Sequence, residues 1–275
     1  MTKQTKEVAV KDSNQALMAD IANVTKEFGA FVNVRKELIR IPRLQLQQAM
    51  SPMVQSGGAK AGDFGCKVSA KNYGDTVTII PLIIGESASL MNDPKKLKEA
   101  GVDESLIPAT NSQVLCRTND LLVNMNGQKC VECPYGTYWN DWGTSDNKKI
   151  PLCHSSIDVL CIVNDEIVPQ VLSFRKTSSK AGKNLLNFTM HDKYGVPFGS
   201  SYKLKSKIAP NDQYRFYTID DYMERVILTE EKIIEILPIA KRMLELNKQG
   251  QLEHETDEDI KPNVSVDPSD SDIPL

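Results

Sequence analysis

Apolar residues recur along this chain mostly at every second position and in short runs, the mark of strands, and only in a few stretches at the 3.6-residue period of a helix. Leu17, Ile21, Val24, Phe28 and Phe31 are spaced as one helical face, which predicts an amphipathic helix over Ala16 to Phe31. Leu44 and Leu46 alternate with polar residues after Pro42 and predict an extended strand, followed by glycine-marked loops at Gly57-Gly58 and Gly62 to Gly65. Lys67 to Ile84 reads as a hairpin. Its turn is Asn72-Tyr73-Gly74-Asp75, and its second strand is a β-branched run interrupted at Pro81. Residues 93–107 read as a short helix and an irregular connector.

Downstream, Ile157 to Val163 and Val168 to Phe174 flank Asn164-Asp165-Glu166, a hairpin signal. A helix is expected from Ser178 to His191. A second hairpin follows from 201–208 and 213–219, joined through Ala209-Pro210-Asn211-Asp212. The last predicted element is a helix near Glu230 to Asn247, with Ile233, Ile236, Leu237, Ala240, Met243 and Leu244 on one face and a kink at Pro238. About six short strands with a few helices predict a mainly β chain of α+β class. An oligonucleotide-binding (OB) barrel elaborated by helices is the favoured architecture, though an α+β sandwich would give a similar pattern.

A length of 275 residues and an apolar fraction of 40% suffice for a real core. No apolar run approaches the roughly 20 residues of a membrane span. Residues 1–12 are polar and lack the apolar stretch of a signal peptide, so the expected compartment is a reducing cytoplasm. The net charge of −3 is unevenly distributed. Residues 251–275 hold eight acidic side chains and one basic, while the preceding 250 residues hold 32 basic and 28 acidic. A mildly basic body over 1–250 therefore carries an acidic tail over 251–275, which lacks the hydrophobicity to fold.

Four of the six cysteines, Cys116, Cys130, Cys133 and Cys153, fall within one segment, with Cys130 and Cys133 as a C-x-x-C on a turn closed by Pro134. This is the layout of a four-ligand structural zinc site holding a loop subdomain over 110–155, with His154 able to replace Cys153. A redox pair and disulfides are the competing readings of the C-x-x-C. Cys161, inside I-D-V-L-C-I-V, reads as a buried strand thiol.

Cations interleaved with aromatic rings point to a single strand of nucleic acid, whose phosphates need neutralising and whose bases stack on flat side chains. The candidates are Arg175, Lys176, Lys180, Lys183, Lys203, Lys205 and Lys207, with Tyr202, Tyr214 and Trp139 as rings. The period of two sends Lys203, Lys205 and Lys207 to one strand face. Phe174, Phe188 and Phe216 fit core positions better than base platforms. No P-loop, no H-E-x-x-H and no grouping of the three histidines supports an enzyme.

The final residues Asp272, Ile273, Pro274 and Leu275 resemble the C-terminal tip of bacterial single-stranded-DNA-binding proteins, with leucine where that family ends in phenylalanine. The resemblance implies that this tip docks on replication or recombination proteins. The body also resembles a family of bacteriophage proteins thought to bind single-stranded DNA. The resemblance rests on Ile41-Pro42-Arg43-Leu44 with Ser51-Pro52, on Cys130 to Pro134, and on Leu172 to Ala181. By analogy with the helix-destabilising proteins of T-even phages, an OB fold, a cysteine/histidine zinc subdomain and an acidic tail would occur together. The expected function is coating of single-stranded DNA during phage replication or recombination in the bacterial cytoplasm, with self-association on DNA and no membrane contact. The alternative is a zinc-containing phage regulator that binds host transcription or recombination proteins.

Overall fold

The computed structural model describes residues 40–91, 93–99, 114–118, 127, 129–130, 153–209, 216–248 and 253–254, all within one unit that begins at Arg40. The first half of the chain supplies β1 (Arg40–Ile41), β2 (Arg43–Leu46), the short α1 (Pro52–Gln55), β3 (Phe64–Cys66), β4 (Lys71–Gly74), β5 (Thr76–Met91), α2 (Pro94–Glu99) and β6 (Val114–Thr118). The second half supplies β7 (Cys153–Val163), β8 (Gln170–Arg175), α3 (Ser179–Met190), β9 (Ser200–Ile208), β10 (Tyr217–Ile219), β11 (Glu224–Ile227), α4 (Glu230–Lys248) and β12 (Glu253–His254). The predicted helix over Ala16 to Phe31 lies outside the described residues.

The protein is mostly β with some helices, and its curled mixed sheet forms a half-barrel. The main sheet runs β10-β9-β5-β7-β8-β2-β3-β4, with β11 also on β9 and β6 also on β5. Its pairings are antiparallel except β2 with β8, which is parallel at Arg43–Val171 and Leu44–Leu172. β5 is the spine, pairing with β7 from Ile79–Val163 to Leu90–Cys153 and with β9 over Thr76 to Ile79. The strand does not stop at Pro81. A bulge there puts Pro81 opposite Cys161 and Ile83 opposite Leu160, and Leu82 is the extra residue that lets the ladder pass a residue without an amide hydrogen.

Alternation explains the two cores. Val77, Ile79, Val159, Cys161, Val163, Leu172, Phe174, Tyr202 and Leu204 fill the inside of the half-barrel, closed by Ala181 and Leu185 of α3. On the other face, Ile80, Leu82 and Ile162 meet Ile236 and Ala240 of α4 together with Phe198. β5 and β7 are thus buried on both sides, so their apolar stretches read as continuous runs. Each such side chain contributes about 1.5–3 kcal/mol by leaving water. The Cys161 thiol is fully enclosed and burial pushes its pKa far up, as expected of a buried strand thiol.

Local chemistry sets the boundaries. Asn164 and Asp165 both have positive φ, 46° and 62°, as a two-residue hairpin turn requires, and Glu166 N–H donates to Val163 O at 2.9 Å. α4 begins after Thr229, whose hydroxyl accepts from the Lys232 amide at 3.4 Å. Glu230 and Glu231 occupy its first turn, where the helix dipole favours them. α4 continues through Pro238 to Lys248.

Three expectations are corrected. Asn72-Tyr73-Gly74 is strand, not turn: it is most of β4, which pairs back on β3 after a turn at Lys67–Ala70. β11 has no sequence counterpart among the predicted strands. Glu253 and His254, in the segment read as disordered, pair in parallel with Arg40 and Ile41.

A buried knot fastens the end of α3 to two strands. The Asp192 carboxylate accepts from Ser200 Oγ at 2.6 Å, from the Tyr194 amide at 3.0 Å and from Arg225 Nη2 at 2.8 Å. Burial pushes its pKa up, but these donors outweigh burial and hold it below the usual carboxylate value.

Candidate functional site

β2 and β8 run together for two residue pairs and then separate, β2 turning to pair with β3 and β8 running into a 3-10 turn, Lys176–Ser178, that opens α3. The fork holds a groove of about 720 Å3. Arg43, Arg175, Lys176 and His154 line it together with Phe216 and Tyr217, and among the described residues no aspartate or glutamate does. β10 closes the far side of the fork.

The strands place these side chains for identifiable reasons. Arg43 Nη2 donates to Ser173 Oγ at 3.1 Å. Arg175 is register partner to Ser156 on β7. Ser156 belongs to a hydroxyl–carboxylate cluster that locks β5 to β7: Ser87 Oγ donates to Asp158 Oδ2 at 2.5 Å, Ser156 Oγ donates to Asp158 Oδ1 at 3.2 Å, and the two hydroxyls are 2.7 Å apart. His154 follows on the same face. Its pKa is lowered first by burial and then by Lys176, Lys96 and Arg175, with Asp93 opposing. The groove is thus electropositive.

The backbone of β10 is fixed by side chains. Gln48 Nε2 donates to Tyr217 O at 2.9 Å, and Gln48 Oε1 accepts from Tyr217 N at 2.9 Å. Ser178 Oγ lies 2.9 Å from Thr218 Oγ1 and accepts from the Ile219 amide at 3.2 Å. Gln48 and Ser178 carry no sequence signal for this role, because their partners are far away along the chain.

The predicted cations separate into groups. Arg175 and Lys176 line the groove. Lys203, Lys205 and Lys207 share one strand face, while Tyr202 and Leu204, at the alternate positions, point inward. Lys207 is bound to Asp220 at 2.9 Å and Asp221 at 2.5 Å, Lys180 also contacts Asp221, and Lys203 faces Glu224 at 3.7 Å. Contacts with Lys180 and then Lys207 hold the Asp221 carboxyl well below the usual range. Lys183 and Lys205 are exposed and make no ion pair among the described residues. Tyr202, expected to be a base platform, is 0% exposed and stacks on Phe188 with centroids 6.5 Å apart, so it has no open face to offer. Trp139 and Tyr214 lie outside the described residues.

Of the four predicted zinc ligands, Cys116 and Cys153 both oppose Leu90, from β6 and β7 on either side of β5. They share a sheet face but are separated by two strand spacings, about 10 Å, so their side chains would have to lean over Leu90 to reach one ion at about 2.3 Å each. Cys130 lies in a short described piece beside Lys129, while Cys133 and the tip residues Asp272 to Leu275 lie outside the described residues. No three histidine, cysteine or acidic side chains gather into a metal-sized cluster among the described residues.

No helix among the described residues is long and apolar enough to cross a membrane. The family model described as Pam3 phage gp34-like protein matches residues 11–253, most of the chain. No curated protein and no solved structure matches it.

Proposed function

Starting from the chain's membership of the phage gp34-like family, we propose that it binds single-stranded DNA during phage replication or recombination in the host cell. The observation that carries this reading is the groove between β2 and β8, where Arg43, Arg175 and Lys176 gather beside Phe216 and Tyr217, with no carboxylate among the described residues of the lining. Phosphodiesters are recognised by such a cation set through neutralisation and counterion release. The OB-like reading of the architecture draws its support from the curl of the half-barrel.

Cys116, Cys130, Cys133 and Cys153 would be the ligands of the structural zinc site of this proposal, which would hold the loop subdomain over 110–155. Metal analysis of the wild-type chain and of C130S/C133S tests it, because unchanged zinc content would remove those two ligands. Asp272 to Leu275 would recruit replication or recombination proteins, and Lys183 and Lys205 would extend the electropositive surface beyond the groove.

The decisive experiment is fluorescence-anisotropy titration of the full chain with labelled oligo-dT across a salt series, with duplex of equal length as competitor. Single-strand preference that weakens steeply with salt supports the reading. Absence of binding, for the full chain and a tail-deleted form alike, overturns it in favour of a regulator that binds host proteins.

A further inference from the structure

We infer that Tyr217 is the platform of a nucleobase-stacking subsite in the groove, a reading that rests on single-strand binding as proposed above and adds to it the group that takes the base. The ring is half-buried and lines the groove beside Phe216, next to the wall that carries Arg175 and Lys176. A base stacked there would have its flanking phosphate within the same cationic fork.

The placement of the ring is built from behind. A Cβ added to Gly62 would lie 2.5 Å from Tyr217 Cε1 and 2.6 Å from Cδ1. Nothing larger than hydrogen therefore fits between that backbone and the ring, and Gly62 also adopts φ +97°, which glycine alone reaches without strain. The main chain of Tyr217 is held by the Gln48 amide through both of its hydrogen-bonding groups, each at 2.9 Å. One ring face is thus packed against the protein, and the residue is fixed before any ligand arrives. A stacking surface needs this pre-organisation, because an aromatic ring that must first be ordered loses part of the gain. Tyr202, on the neighbouring strand β9, is enclosed and cannot serve. Any base has a flat face, so the subsite takes an unpaired nucleobase with little regard to identity.

The test compares Y217A, Y217F, Q48A and K176A with the wild-type full chain, titrating labelled oligo-dT at several salt concentrations and checking each fold by thermal melt. Y217A should weaken binding roughly 5- to 100-fold, the range of one lost base stack, with the slope of log K against log salt unchanged. Y217F should restore wild-type affinity within about twofold, because phenylalanine keeps the flat ring face on which a base stacks. Q48A, a positioning change, should fall between them with the same slope. K176A should instead lower the slope by about 0.7, one phosphate on a single strand. Wild-type affinity in Y217A overturns the inference, as does a loss in Y217A that comes with a reduced slope, which would mean that the phosphate contacts had been disturbed. Equal losses in Y217F and Y217A also overturn it. If the wild-type chain binds no oligonucleotide, this inference falls together with the function on which it rests.

Discussion

Replacing Asp192 with asparagine would test how the elements around the groove are fastened. The carboxylate side chain is 0% exposed and Arg225 is 26% exposed at a contact of 2.8 Å. Arg225 Nε also donates to Ser200 Oγ at 3.1 Å, so one acid organises α3, β9 and β11 together. Asparagine keeps an acceptor for the Tyr194 amide but turns an amide N–H toward donors that met an oxygen, and it leaves the guanidinium without its counter-charge. Breaking a buried pair from one side costs about 3–5 kcal/mol. Because water reaches part of Arg225, about 2–4 kcal/mol is expected here, a large share of the roughly 5–15 kcal/mol that holds a domain folded. Urea denaturation should show the midpoint falling with the slope m unchanged. The pH dependence gives an independent check. The folded pKa of Asp192 is depressed, so its contribution is fully present above the unfolded value of about 3.9 and is lost as pH falls through the folded value. The gap between wild type and D192N should therefore be constant from pH 5 to 8 and close below about pH 4. A midpoint change worth less than about 0.5 kcal/mol, the scatter of ordinary surface substitutions, would refute the reasoning.

Two further substitutions follow from close contacts. In α3, a Cβ at Gly182 would come within 2.6 Å of Phe174 Cβ and 2.9 Å of Cγ, so G182A should destabilise by about 1–3 kcal/mol through overpacking, against a helix-propensity gain of at most about 1 kcal/mol. A higher urea midpoint in G182A would show that α3 does not press on β8 as described. In the groove, K176A should flatten the salt dependence of DNA binding, whereas K207A, which removes a lysine already bound to Asp220 and Asp221, should leave the slope within error. Equal slope changes in the two variants would place the strand on the β9 face instead.

Much of the β framework was legible because burial on a pleated surface leaves alternation behind. The pattern over 201–208 delivers β9 and the shared face of its lysines, and Asn164-Asp165 marks a turn that only residues tolerant of positive φ can make. What failed had non-local causes. β11 escaped because Val226 and Ile227 are both exposed, at 54% and 52%, so no inward face is written into it. β4 has the composition of a turn in Asn-Tyr-Gly, while its pairing is set by β3. A local window around the cations omits Asp220, Asp221 and Glu224, which reach them only after the chain folds back. The candidate site was half legible: Arg175 and Lys176 stood out as charges, but Arg43, His154 and Tyr217 join them only through the fork of β2 and β8. Whether a tyrosine is core or platform depends on what lies behind its ring, and composition does not encode that for Tyr202 or Tyr217.

The pairing of β12 with β1 gives the acidic tail a starting point. Glu253 and His254 lie beside Arg40 and Ile41 in parallel, and β1 is separated by one residue from β2, where Arg43 lines the groove. The sequence that follows His254 carries Glu255, Asp257, Glu258, Asp259, Asp267, Asp270 and Asp272 against one cation, Lys261. Carboxylates tethered to the same chain compete with phosphates as an intramolecular ligand. Truncation after His254 should therefore tighten binding to oligo-dT at low salt and have little effect at high salt, where both attractions are screened. Truncation before Glu253 removes the β1 partner as well and should add a stability loss that the shorter deletion does not show. Affinity that falls when only residues 255–275 are removed would mean that the tail contributes to binding, and the competition argument would be wrong.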